Sequence, residues 1–166
     1  MSREIYNKNW PRKNLGELVR FLEKMHPEGL ALKTLSEEIG ITQQALSSLF
    51  SKDDAKLSRI EQIVRCYGHE LKLFFPLRTF PVEGIEIPPP KKTFPNAGNL
   101  SGLIRYINDS NYSIKYVAGL IPRYPSLLTR AFETGDILMS NLYQVLDALD
   151  ICVIWKFVKT NIQQEN

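Results

Sequence analysis

Gln43 and Gln44 stand side by side, and Ser47 follows one helical turn later. A glutamine carries an amide donor and a carbonyl acceptor, the pair that an adenine edge matches, and a hydroxyl can donate or accept with either partner. Thr42 and Ser48 add hydroxyls that can cap a helix or bond a phosphate oxygen. Lys33, Lys52, Lys56 and Arg59 surround the group with cations suited to phosphate. Polar side chains at the exposed start of a helix are also ordinary solvated caps, so the meaning of this set depends on the elements that carry it.

Those elements follow from spacing. Leu15, Leu18, Val19 and Leu22 recur at helical intervals, and Pro27 with Gly29 ends that helix. A second helix runs from about Lys33 to Ile39. Gly40 then stands where a helix C-terminus favours a left-handed residue, and Thr42 caps a third helix with apolar positions Leu46, Leu49 and Phe50. Lys52-Asp53-Asp54 breaks it. A fourth helix from about Ser58 to Tyr67 is closed by Gly68, and residues 70–75, bounded by Pro76, alternate as a short strand.

The same order returns about eighty residues later. At an offset of 82, Lys33, Ile39, Leu46, Phe50, Asp54, Ser58, Gln62 and Phe75 meet Lys115, Ile121, Leu128, Phe132, Asp136, Ser140, Gln144 and Phe157, and the apolar pattern between them is kept. The second copy predicts helices at about Leu100–Asp109, Ile114–Ile121 with Ser113 as cap, Pro125–Glu133 and Ser140–Leu149, then a strand over 151–157. Pro122-Arg123-Tyr124-Pro125 replaces Gly40-Ile41-Thr42-Gln43, so its turn must differ. Arg123, Tyr124, Ser126, Thr129 and Arg130 are the residues there that could meet phosphate or bases. Two isolated short strands are unstable in water, so 70–75 and 151–157 are expected to pair antiparallel across an internal pseudo-two-fold. The chain thus divides into a first domain at 1–75, a Pro-rich linker at 76–98 and a second domain at 99–158. The basic residues of 1–13 read as an arm able to reach phosphate, or as a frayed terminus.

Composition narrows the function classes. With 43% hydrophobic and 10% aromatic residues there is apolar surface enough for packed cores, while the net charge of +3 makes non-specific phosphate attraction modest. Cys66 and Cys152 lack metal-ligand spacing and read as buried free thiols, and His26 and His69 as surface or loop imidazoles without catalytic partners. Nothing resembles a phosphate loop or nucleophile elbow, so no enzyme, cofactor or small-molecule effector is expected. With no signal-like or membrane-spanning segment, no membrane association and a cytoplasmic location are the default expectations.

Residues 32–64 resemble the lambda-repressor/Cro (xenobiotic-response-element) helix-turn-helix family, most closely along Gly40-Ile41-Thr42-Gln43-Gln44-Ala45-Leu46-Ser47-Ser48-Leu49-Phe50. The resemblance implies a mostly α chain with two such bundles in tandem, each followed by a short β-strand of the kind that pairs across a dimer in antitoxin-like members. By resemblance Gln43, Gln44 and Ser47 map onto base-reading positions, and Thr42, Ser48, Lys52, Lys56 and Arg59 onto cap or phosphate positions. Leu32 stands where the family often has a phosphate-touching Gln, which leaves that role to Lys33. The implied function is sequence-specific binding of double-stranded DNA by a transcriptional regulator acting as an intrachain pseudo-dimer, with an asymmetric operator. The alternative is an antitoxin-like protein-interaction module with little or no DNA binding, whose ligand is a protein partner.

Overall fold

The computed structural model describes residues 14–76, 93–121 and 125–160. They are mostly helical, with one small two-stranded antiparallel sheet. The chain groups into two compact units. The first takes in Met1–Leu71, Leu138–Ser140 and Phe157–Asn166, and the second Lys72–Ile137 and Asn141–Lys156.

In the first unit α1 (Gly16–Met25), α2 (Leu32–Ile39), α3 (Gln43–Lys52) and α4 (Leu57–Cys66) precede β1 (His69–Phe74), whose residues from Lys72 on belong to the second unit. Each helix turns one apolar stripe inward: Leu18 and Leu22 from α1, Leu35 from α2, Leu46 and Phe50 from α3, and Ile60, Ile63 and Val64 from α4 are all essentially inaccessible. Gly40 ends α2 in the left-handed region at φ 84°, and its amide donates to the Ser36 carbonyl at 2.8 Å. In the first turn of α3, Thr42 accepts the Ala45 amide at 3.1 Å. Asp53, at φ 51°, ends that helix.

In the second unit the order is repeated by α5 (Ser101–Asp109), α6 (Ile114–Gly119), α7 (Pro125–Thr134) and most of α8 (Met139–Leu149), followed by the first half of β2 (Ile154–Lys159); Met139, Ser140 and residues 157–159 belong to the first unit. A 3-10 turn at Gly98–Leu100 leads into α5, and Ser113 caps α6 by accepting the Tyr116 amide at 3.0 Å. Its core holds the repeat mates of the first: Leu103, Val117, Leu128, Phe132, Leu142, Val145 and Leu146. Gly135, at φ 71°, stands where the first copy has Asp53, and a Cβ there would lie 2.6 Å from the Asn96 carbonyl oxygen. Glycine is required at that position by both conformation and space.

Three expectations need correction. The second strand begins at Ile154 rather than at residue 151, because Ile151 serves the end of α8: Asp150 turns left-handed at φ 54°, and the amide of buried Ile151 reaches back to the Leu146 carbonyl at 3.0 Å. Second, α6 stops at Gly119. Leu120 and Ile121 form a tight turn, as suits a residue directly before Pro122. Finally, Cys66 and Cys152 are free but exposed, the first on α4 and the second in the segment between α8 and β2. The linker expected over 76–98 lies largely in 77–92, outside the described residues, as does the basic arm.

Candidate nucleic-acid interface

The α2–turn–α3 segment sets the first unit's outer face. Leu46 and Phe50 seat α3 in the core, which leaves Gln43, Gln44 and Ala45 exposed at its first turn and Ser47 and Ser48 half-buried along its flank. Thr42 is exposed except for its capping bond, and the Ser51 hydroxyl donates to the Ser48 carbonyl at 3.2 Å. Gln43 and Gln44 therefore present their amides to solvent from a helix end fixed by a cap and two core anchors.

Cations lie at both ends of this face. Lys33 is exposed in the first turn of α2, and Lys52 is exposed in the last turn of α3. Beyond it Lys56 is exposed and Arg59 half-buried, with the Arg59 guanidinium donating to Gln62 Oε1 at 3.0 Å. Leu49, Ala55, Lys56, Ser58, Arg59 and Gln62 line an open concavity of about 340 Å³ at the start of α4. Its two positive side chains and one hydroxyl on a shallow floor suit a phosphodiester oxygen better than an apolar ligand.

The acidic residues of the same loop are held by amides. Asp53 accepts the Asn14 amide at 3.0 Å and the Leu15 amide at 3.1 Å, capping the start of α1, which has no cap of its own. Asp54 accepts the Ser140 amide at 2.9 Å and the Ser140 hydroxyl at 2.6 Å. Spacing alone could not reveal these partners.

In the second unit Ser126 and Arg130 are exposed on α7 and Thr129 is half-buried, while Arg123 and Tyr124 lie outside the described residues. The repeat mates of Thr34, Glu38 and Ala45, all exposed in the first copy, are Tyr116, Leu120 and Leu127. They are 51%, 43% and 40% exposed. At these three positions the second unit exposes larger apolar side chains than Thr34, Glu38 and Ala45 of the first.

His26 lies in a loop, as expected, and His69 opens β1; both are half-buried and have polar or aromatic neighbours. The Tyr67 hydroxyl donates to Glu38 Oε2 at 2.6 Å, and His26 Nε2 lies 3.1 Å from both the Tyr67 oxygen and that carboxylate. His69 Nδ1 is 2.8 Å from the Tyr67 carbonyl oxygen, and the His69 ring packs edge-on against Phe21, itself stacked on Phe157 at 4.5 Å. The cluster ties the loop after α1, the end of α2 and the end of α4 together, bracing the helix that precedes the turn.

Among the described residues no group of His, Cys, Asp and Glu could hold a metal ion, and no helix is long and apolar enough to cross a membrane. Compared with family models, curated proteins and solved structures, the chain matches none.

Proposed function

We propose that the chain binds double-stranded DNA in a sequence-dependent manner and acts as a transcriptional regulator of the helix-turn-helix kind. The observation that supports this best is the exposure of Gln43 and Gln44 on the first turn of a helix anchored by Leu46 and Phe50. A glutamine pair so placed can enter a major groove and bond base edges, while Lys33, Lys52, Lys56 and Arg59 meet the phosphates on either side. The duplication supports the further reading that one chain does the work of two subunits, on an operator with unlike halves.

Selection from a pool of randomised duplexes at moderate salt tests this. An enriched motif is expected, and Gln43→Ala with Gln44→Ala should relax one or two of its positions, at about 1–3 kcal/mol for each bidentate pair removed. Failure of the unaltered chain to enrich any motif defeats the reading.

A specific observation favours a second reading for the other unit. Tyr116, Leu120 and Leu127 put exposed apolar surface where the first copy has Thr34, Glu38 and Ala45, as a protein-docking module would. A defined protein partner that survives nuclease treatment, and no longer binds when Leu120→Ser and Leu127→Ser are introduced, would establish it.

A further inference from the structure

Asp54 lies between Lys52 and Lys56, within the cationic edge assigned to phosphate. An open carboxylate there would repel a phosphodiester or draw Lys56 and Arg59 onto itself. Instead it is saturated with donors. Its Oδ1 accepts the Ala55 amide at 3.0 Å and the Ser140 amide at 2.9 Å, and its Oδ2 accepts the Ser140 hydroxyl at 2.6 Å. The neighbouring backbone joins the same latch: the Met139 amide donates to the Ala55 carbonyl at 2.9 Å, and Lys56 pairs antiparallel with Leu138. Charge-assisted bonds of this length are the strong class, so Ala55 and Lys56 are held on both sides of the carboxylate.

We propose that Ser140 is a positioning residue for duplex phosphate. By holding Asp54 turned into the latch, it sets the backbone that presents Lys56 and Arg59 around the concavity at the start of α4 and keeps the loop's negative charge out of it. The proposal rests on the DNA-binding reading and assigns a role in it to a residue 86 positions distant in sequence from the loop it holds.

The test combines Ser140→Ala, Ser140→Thr and Asp54→Asn in the full chain, with two readouts. Amide hydrogen exchange at Ala55, Met139 and Ser140 reports the latch itself. Binding to the selected duplex across a salt series reports the cations that meet phosphate, since each phosphate no longer neutralised lowers the slope of log affinity against log salt by about 0.9. Ser140→Ala should speed exchange at these amides, weaken binding about three- to tenfold and reduce the slope by about 0.9, while leaving the selected motif unchanged. Ser140→Thr keeps the hydroxyl and should restore both. Asp54→Asn, which keeps the shape but removes the charge, should fall between.

Unchanged exchange in Ser140→Ala overturns the latch whatever the chain does with DNA. Faster exchange with unaltered affinity and slope overturns the positioning role alone. If the unaltered chain binds no duplex, the functional reading fails, and the role assigned to Ser140 with it.

Discussion

The Tyr67 hydroxyl donates to the Glu38 carboxylate at 2.6 Å, linking the end of α4 to the end of α2. Burial first, then the hydrogen bond and charge of Glu38, then Cys66, hold the Tyr67 phenol well above the ordinary tyrosine range. The folded value lies above the unfolded one, so the neutral phenol's contribution to stability is complete below about pH 10 and is lost as pH rises through the folded value. Phenolate absorbance should reveal one tyrosine that ionises only as the chain unfolds in alkali. Tyr67→Phe should abolish that late component, and a Tyr67→Phe protein with the same titration curve as the parent would refute the assignment.

Thr42→Ala should cost about 1 kcal/mol in denaturant unfolding, because the Ala45 amide loses its acceptor. Thr42→Ser should retain most of that stability. The same substitution to alanine frays the turn that carries Gln43 and Gln44, so affinity for the selected duplex should fall with it.

Gly40 and Gly135 separate backbone conformation from crowding. Both have positive φ, but a Cβ at Gly40 meets open space whereas one at Gly135 would strike the Asn96 carbonyl. Gly40→Ala should therefore lose about 1–2 kcal/mol for the left-handed backbone alone. Gly135→Ala should lose clearly more. Equal losses, measured by chemical denaturation, would mean that the segment at Asn96–Ala97 yields freely.

Lys56→Ala and Arg59→Ala should weaken DNA binding uniformly across sequences, each lowering the salt slope by about 0.9. A change of selected motif in either variant would instead place that side chain on a base edge.

Most helix limits could be read from local chemistry. Gly40, Thr42 and Ser113 each act within four residues of their own position, so a short window contains the whole interaction. The mostly helical content and the exposed glutamines were legible for the same reason. What was not legible depends on distant partners. Asp53 and Asp54 read as a helix-breaking charged run, yet one caps α1 from 39 residues away and the other holds Ser140 from 86. A signal did exist, since Asp54 and Ser140 are both positions kept identical between the repeats, matching Asp136 and Ser58. The shift of the second strand had a similar cause: its leading residues suit a strand, but Ile151 is drawn back onto Leu146 by the end of the preceding helix. Burial of the cysteines was argued from residue type, and residue type does not specify which side of an element faces solvent.

Leu138–Ser140 and the segment from Phe157 belong with Met1–Leu71 in one compact unit, although most of α8 lies between them in sequence and belongs to the other. A module assembled from three separate stretches cannot be cut out as a cassette. Residues 1–76 taken alone would have Asp54 without Ser140 and Phe21 without its stacked ring. Recombination that moved residues 1–76 alone would carry away an incomplete object.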